Sequence, residues 1–132
     1  MADALQVELV AADRLVWSGE AKMVLARTFD GDVGILPGHA PLMSVMVDGV
    51  VDVTTVDNET WVAAVDAGFL SVAKNRVSIL AEKALMSHDI DLEKAKADLE
   101  RARTAGELLS APEQEFEEAW AKARIRAVEQ AS

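Results

Sequence analysis

Hydrophobic and polar residues alternate along the first part of the chain with the two-residue period of β-strands. The segments 5–11, 50–56 and 76–82 show this alternation and are predicted to be strands with one buried and one exposed face. The segments 20–29 and 61–65 are more continuously apolar, so we predict strands that are covered on both faces.

Short turn signals separate these segments. Asp-Gly, Asp-Asn and Lys-Asn pairs favour tight turns, and a glycine inside a strand pattern indicates a bulge or bend. About eight to ten short antiparallel strands with this spacing predict an all-β sandwich or flattened barrel, which we place at residues 1–84. The signals are Asp30-Gly31, Asp48-Gly49, Asp57-Asn58, Lys74-Asn75 and Gly68.

The period changes to that of an α-helix after residue 90. Asp91 is suited to the N-cap of a first helix, Glu93 lies in its first turn, and Gly106 is predicted to end it. The preceding residues 85–90 are predicted to be a linker. The predicted apolar stripe of this helix consists of Leu92, Ala95, Leu99 and Ala102.

A second helix is predicted to start at Pro112, because proline is favoured in the first helical turn. Glutamates lie near its start and basic residues lie near its predicted end, an order that suits the helix dipole. Residues 91–132 are therefore predicted to form an antiparallel two-helix hairpin. The predicted apolar face of the second helix consists of Phe116, Ala119, Trp120, Ala123 and Ala127.

Alanine dominates both helical stripes. A buried methyl group contributes only ~0.8 kcal/mol, compared with about 1.5–3 kcal/mol for a buried leucine side chain. Alanine also favours the helix strongly without tertiary support. The residues alone leave two interpretations equally open: a hairpin that detaches and docks elsewhere, and a hairpin that is permanently packed.

The net charge of −10 argues against nucleic acid and against direct lipid binding at an anionic membrane surface. The chain contains no cysteine, which fits a reducing compartment. Its first residues lack the pattern of a signal peptide, and acidic residues interrupt every apolar run that could span a membrane.

No pattern for catalysis is present in the sequence. His39 and His88 lack metal-ligand spacing, the serines lack a nucleophile elbow, and there is no phosphate-binding glycine loop. We therefore predict a non-enzyme without a metal site or a catalytic residue. A small hydrolase that uses Asp32 and His39 is a weaker alternative, because no further catalytic partner is evident.

The segment 31–42, GDVGILPGHAPL, is the most constrained stretch of the chain. Pro37 and Pro41 fix two backbone dihedrals, and Gly38 permits a bend that other residues resist. An ordered segment of this kind loses little entropy when it contacts a partner. From the residues alone, hydrogen bonds from His39 to the local backbone are favoured over a partner contact.

The chain resembles the epsilon subunits of bacterial F-type ATP synthases. The resemblance is carried by this segment, by the preceding Trp-Ser-Gly at 17–19, and by GFLSV and VSILAE in the range 68–82. The resemblance covers essentially the whole chain. It implies a non-catalytic central-stalk subunit of a proton-translocating enzyme, located peripherally at the cytoplasmic face of the cell membrane. It further implies a sandwich fixed to the gamma subunit and the membrane rotor ring, with Asp32 and His39 as contacts.

The resemblance also implies that the hairpin is regulatory. Extended along gamma, it would contact the alpha and beta subunits of the catalytic head and inhibit ATP hydrolysis. The alternatives are that the basic residues only complement the helix dipole and that the tryptophan is hairpin core. The candidate contacts are Trp120, Lys122, Arg124 and Arg126.

Some relatives bind ATP on the folded hairpin through an Ile-Asp-x-x-Arg-Ala motif. Here a lysine replaces the arginine and lacks its planar fork for phosphate, so no cofactor other than weakly bound ATP is expected. A nucleotide-sensing module whose hairpin folds on ATP is the alternative function. The matching residues are Ile90, Asp91, Lys94, Ala95, Arg101, Lys122 and Arg126.

Overall fold

The computed structural model describes residues 4–105 and 110–131, and it confirms an all-β sandwich followed by a two-helix hairpin. Within these ranges the chain forms nine strands, one short 3-10 turn and two α-helices. The strands are β1 Leu5–Ala11, β2 Arg14–Thr28, β3 Gly31–Ile35, β4 Leu42–Met46, β5 Gly49–Thr55, β6 Thr60–Val65, β7 Gly68–Ala73, β8 Arg76–Ala81 and β9 Ala84–Met86; the 3-10 turn is Ser87–Asp89, and the helices are α1 Leu92–Thr104 and α2 Ala111–Ala131.

The strands form two layers that share β2. One layer follows the order β1-β8-β7-β4 and the other the order β2-β5-β6-β9, with β3 paired to β2. Because β2 also pairs with β1 and, through Thr28 and Met46, with β4, the first layer closes on itself like a flattened barrel. The prediction of antiparallel strands is wrong for one pair, since β1 runs parallel to β8.

The strand β2 is longer than the predicted segment 20–29 and begins at Arg14. In its second half buried and exposed residues alternate, and Leu25 faces outward, so the prediction that both faces are covered is wrong here. The same prediction is confirmed for β6, where Val62 to Val65 are all buried because the sandwich core covers one face and α2 the other.

The core between the layers consists of aliphatic side chains from every strand. Gly68 is required where β7 approaches β8, since a Cβ there would lie 1.9 Å from the carbonyl oxygen of Leu80. Lys74 and Asn75 both adopt positive φ, which confirms a tight turn of the kind that joins twisted antiparallel strands. The largest fully buried side chains include Leu5, Ile35, Met46, Leu70 and Ile79.

The first helix forms as predicted from its cap and stripe. The Asp91 carboxylate accepts a hydrogen bond of 3.1 Å from the Lys94 amide, which confirms the N-cap. Ala95 and Ala102 are buried, and Leu92 and Leu99 are half-buried. The predicted stop at Gly106 lies outside the described residues.

The second helix begins at Ala111, so Pro112 lies in its first turn as predicted, but its buried face and its last turn differ from the prediction. Phe116 was placed on the apolar face but is exposed, whereas Ala121 and Arg124 are buried against α1. The helix continues to Ala131, and its last turn contains no basic residue, so the predicted complement to the helix dipole is absent among the described residues. The strand β9 also extends the sheet into the segment 85–90, which was predicted to be a linker.

Candidate functional site

An apolar stripe crosses the outer face of the layer that contains β1, β8, β7 and β4. Each of its members lies directly opposite the next on the neighbouring strand, so all of them share the face that points away from the core. Phe69, at its centre, is 55% exposed. In strand order the stripe consists of Val45, Phe69, Leu80, Val10 and Leu15.

The stripe runs across the full width of the layer. Five strands at a spacing of ~4.8 Å carry it over roughly 19 Å. Phe29 extends it at one end, where its amide donates a hydrogen bond of 2.8 Å to the carbonyl oxygen of Val45. Contiguous exposed apolar surfaces are typical of places where proteins bind one another, so the stripe is a candidate interaction surface.

Asp32 lies at the end of the sandwich that contains the β2–β3 turn. Its carboxylate is 78% exposed and is 3.6 Å from the Arg27 guanidinium. The buried Thr28 hydroxyl donates to the Gly31 carbonyl at 2.7 Å and accepts from the Asp30 amide at 3.2 Å, which fixes the turn. Asp32 is therefore presented on a rigid turn and is available to a partner.

His39 lies at the other end of β3. Its Nδ1 is 2.6 Å from the Ala40 carbonyl oxygen, and its amide donates to the Leu36 carbonyl at 3.0 Å. The adjacent Gly38 amide donates to the Asn75 side chain at 2.7 Å, so the loop is tied to the β7–β8 turn. The ring thus bonds the local backbone and keeps a half-exposed edge.

The structure does not bring Asp32 and His39 together. The strand β3 lies between them, which corresponds to a separation on the order of 10 Å or more at 3.3 Å per residue. A catalytic pair needs hydrogen-bond reach, either directly or through one water. This arrangement gives no support to the alternative of a hydrolase built on these two residues.

The hairpin contacts the outer face of the second layer through small side chains. Ala123 and Ala127 of α2 pack on Val62 and Ala64 of β6. The half-buried Val50, Ile90 and Trp120 pack around this contact. Most of these side chains are alanine or valine, each of which contributes less apolar area than a leucine or phenylalanine would.

Trp120 is the largest side chain at this junction. The Lys83 ammonium of the sandwich lies 5.9 Å from its ring centroid, and the Arg124 guanidinium of α2 lies 5.4 Å from it. Cations at these distances from an indole ring are attracted by its electron-rich face. Trp120 therefore links the sandwich to α2 by both packing and electrostatics.

Within the hairpin, the Asp98 carboxylate holds α1 and α2 together. It is 12% exposed and lies 3.0 Å from both Arg124 and Arg101 and 3.6 Å from Lys94. Burial disfavours its charged form, but the hydrogen bond from Arg124 and the three cations outweigh this effect, so the pKa of Asp98 is lowered. Arg124, itself 7% exposed, is thus a structural residue of the docked hairpin.

The candidate ATP residues have several different partners. Lys94 and Arg101 are engaged by Asp98, whereas Lys122 pairs with Glu118 at 3.8 Å and lines a different groove together with Arg126. Asp91 is occupied as the helix cap. The remaining two, Ile90 and Ala95, contribute packing in the hairpin.

Asp52 of β5 lies under the end of α2. Its carboxylate accepts a hydrogen bond from the Gln130 side chain, and among the residues that the structure describes its Oδ1 is buried without a partner. Burial raises the pKa of Asp52 above its usual range. The carboxylate lines a cavity of about 290 Å³ together with Arg27 and Arg126.

The described part of the chain contains no group of three or more potential metal-ligating carboxylates or histidines. It also contains no helix that is both long and apolar enough to cross a bilayer. Sequence reasoning did not identify the stripe or Asp98. The stripe could have been predicted, because Phe69 and Leu80 occupy positions of their strands where the alternation predicts exposed polar residues. The role of Asp98 could not, because it depends on how α1 and α2 pack together.

Comparisons with known proteins agree with this architecture. Residues 4–87 match the family described as the beta-sandwich domain of the ATP synthase delta/epsilon chain. The ATP synthase epsilon chain of Streptomyces avermitilis is 50% identical over 128 residues, which cover 97% of this chain and 98% of that relative. That of Rhodococcus jostii is 49% identical over 128 residues, which cover 96% and 98%.

Solved structures share the fold. A chain in the cryo-EM structure of Euglena gracilis mitochondrial ATP synthase matches with a TM-score of 0.78 at 22% identity and covers 97% of this chain and 81% of that chain. A chain in the Tetrahymena thermophila mitochondrial ATP synthase central stalk and c-ring matches with a TM-score of 0.62 at 15% identity, covering 98% and 97%. At these identities the likeness establishes the fold alone.

Proposed function

Because this chain belongs to the ATP synthase delta/epsilon family, we propose that it is a non-catalytic subunit of the central stalk that couples rotation of a proton-driven membrane ring to the catalytic head. In this role it is located peripherally at the cytoplasmic face of the cell membrane and is held there by other subunits. Its net charge of −10 supports attachment through protein rather than lipid.

The apolar stripe is the observation that carries the proposal. A coupling subunit must bind its rotor partner firmly enough to turn with it, and an apolar surface with a central aromatic residue provides such an anchor. The stripe lies on a closed layer whose core is fully packed, so the surface is rigid before binding. We assign the gamma subunit to the stripe.

We further propose that Asp32 and His39 contact rotor partners at two separate places. Asp32 lies beside Phe29, which is 78% exposed, and this end is suited to the polar loops of the ring. His39 lies at the opposite end and is suited to gamma. The separation of the two residues by β3 supports two surfaces rather than one.

The hairpin is proposed to be the regulatory element. The alanine and valine side chains in its contact with β6 support a docked state that can open, after which Trp120, Lys122, Arg124 and Arg126 would be free to meet the alpha and beta subunits. For Arg124 to contact the head, its ion pair with Asp98 must break, and an acidic group of the catalytic head would then replace Asp98 as its partner. Inhibition of ATP hydrolysis by the extended hairpin is the expected result.

ATP binding to the isolated chain is proposed to be weak or absent. Any phosphate would compete with Asp98 for Lys94 and Arg101, and Arg126 lines a groove together with Lys122. Isothermal titration of the full chain with ATP should show no binding in the micromolar range. Micromolar affinity that disappears when the hairpin is deleted would contradict this proposal and support a nucleotide sensor.

Removal of residues 88–132 from the assembled enzyme tests the regulatory role. The main core lies entirely within residues 5–86, so the sandwich should stay folded and attached. ATP hydrolysis by the assembly is expected to rise while proton-coupled synthesis is largely retained. Unchanged hydrolysis would show that the hairpin does not inhibit, and loss of the chain from the complex would show that it is needed for attachment.

A further inference from the structure

A second apolar surface lies at the end of the sandwich, between the β4–β5 turn and the start of α2. It is a groove with a volume of about 510 Å³. Its lining is mostly hydrophobic, and Phe116 of α2 stands in it with 68% of its surface exposed. The residues that line it include Val45, Met46, Ala67, Pro112, Phe116 and Ala119.

The groove is continuous with the apolar stripe. Val45 belongs to both, since it pairs with Phe69 in the stripe and lines the groove on its other side. The apolar surface therefore runs from the sandwich around its end and onto the hairpin. A partner that covers the stripe can reach α2 without a gap.

The rim of the groove is acidic. Asp48 and Glu115 lie in its wall, and the adjacent cavity that shares Phe116 is lined by Asp66, Glu82 and Glu117. Among the described residues that line these two cavities, Lys83 is the one cation, and its ammonium lies 5.9 Å from the centroid of the Trp120 ring. The surface thus favours a partner segment with an apolar seam and positive charges on its edges.

The sandwich side of the groove is preformed. The Asp48 carboxylate accepts from the Ala67 amide at 2.9 Å, and the Asp66 carboxylate accepts from the Lys83 amide at 2.8 Å. These bonds tie three turns together, so little conformational entropy is lost when a partner binds there. Burial and the neighbouring Asp66 charge raise the pKa of Asp48, which a partner cation would reverse.

We propose that the groove binds an α-helix of the rotor partner, one with an apolar seam and lysine or arginine side chains along its edges. The groove already has one helical wall, and a second helix packs against such a wall at ~8–10 Å between axes. The inference rests on the proposed function, because it assigns this helix to the partner that covers the stripe. Such a helix would touch sandwich and hairpin together and hold the hairpin docked.

Photo-crosslinking in the assembled enzyme tests this inference. The photoreactive amino acid p-benzoylphenylalanine is placed at position 116 in the groove, at position 69 in the stripe and at position 97 as a control, where Ala97 is exposed on α1. Mass spectrometry then identifies the attached peptides. We expect position 116 to attach to a helical segment of the partner that also reacts with position 69, and position 97 to attach to neither.

The two proposals fail separately. A crosslink from position 69 without one from position 116, or a crosslink from position 116 to the ring or the catalytic subunits, overturns the groove inference and leaves the stripe assignment intact. Failure of both positions to react with a rotor partner overturns the proposed function as well.

Charge reversal supplies a second measurement. Glu115→Lys should weaken the affinity for the isolated partner ~10-fold at low salt, and the difference should shrink as salt is added. Glu100→Lys changes the net charge equally on an exposed position of α1 and should leave the affinity unchanged. Equal effects of the two substitutions would overturn the inference.

Discussion

Asp98 and Asp52 are carboxylates of the same chain whose surroundings shift their pKa values in opposite directions. Three cations converge on Asp98 and lower its pKa, whereas burial under α2 raises the pKa of Asp52. One carboxylate therefore stabilises the hairpin when it is charged, and the other opposes docking when it is charged. The effect of pH on hairpin docking therefore depends on which of the two carboxylates changes its protonation state in the pH range considered.

Asp98→Asn should weaken the pairing of α1 and α2 by about 1–2 kcal/mol at pH 7, because charged hydrogen bonds are lost but two of the cations are largely solvated. Since the folded pKa of Asp98 lies below its usual value of 3.8, this stabilisation is complete above that pH and is lost as the pH falls below it. Hydrogen exchange of α1 amides measures it. Glu100→Gln is the control, and equal effects of both variants would contradict the role of Asp98.

Asp52→Asn should stabilise docking of the hairpin by up to about 1 kcal/mol at pH 7, because the amide can keep the Gln130 hydrogen bond without a buried charge. A raised pKa means that the folded chain binds the proton more tightly, so docking of the unmodified chain should strengthen as the pH falls from 7 through the raised pKa. The variant should not respond. Exchange of α2 amides measured as the pH is lowered from 7 towards the usual aspartate value of 3.8 tests this, and an equal pH response in both chains would show that another group titrates.

At the residue scale, sequence reasoning predicted what depends on local chemistry. The Asp91 cap and the Lys74-Asn75 turn follow from neighbouring residues and are confirmed. The ion pair of Asp98 with Arg124 joins residues 26 positions apart and depends on how two helices meet, which no local pattern specifies. The contacts predicted for Asp32 and His39 stay predictions.

At the scale of elements, small side chains set the strength of hairpin docking. Ala127 is fully buried against β6 and leaves no room for a larger group. Ala127→Leu should therefore undock α2 at a cost of ~1–3 kcal/mol without unfolding the sandwich. Faster hydrogen exchange in α2 with unchanged exchange in β7 and β8 is the expected measurement.

Ala131→Leu is the matched control, because Ala131 is exposed at the end of the same helix. If Ala127→Leu leaves exchange in α2 unchanged, the docked contact has more freedom to repack than its burial indicates. If it also exposes β7 and β8, the hairpin and sandwich unfold as one unit and cannot act as separate elements.

Strands and helices could be told apart from the sequence, because the hydrophobic pattern repeats every two residues in the first part of the chain and every 3.6 residues in the last part. The parallel pairing of β1 with β8 was not, since strand direction within a sheet depends on the route of the chain between them. Phe116 was assigned to the buried face from spacing alone, but α2 starts beyond the sheet, so its first turns lack a surface to cover them. The same mismatch produces the groove beside it.

At the scale of the whole molecule, the sandwich presents different surfaces on its two sides. One outer face carries the docked hairpin, and the other carries the stripe. Attachment to a rotor partner and movement of the hairpin can therefore occur independently, except at the groove, where the two surfaces meet.

Phe69→Asp should weaken binding to the rotor partner by at least about tenfold, because aromatic anchors at the centre of an interface contribute ~2 kcal/mol or more. The isolated chain should keep its thermal stability, since the side chain already faces solvent. Val56→Asp is the control, as Val56 is exposed in the turn between β5 and β6. Binding measured by co-purification with the partner should be lost only in the first variant, and loss in both would indicate a general charge effect.

The layer that carries the stripe is closed, and this closure affects how the chain behaves before it binds its partner. Exposed apolar surfaces on β-sheets lead to aggregation mainly when unpaired edge strands allow other copies of the chain to add as further strands. Here, within the described ranges, the strands with a single neighbour are β3 and β9, which have five and three residues and lie in the other layer. A net charge of −10 also repels like molecules. Both features disfavour the addition of one copy to another, strand by strand, before the partner binds.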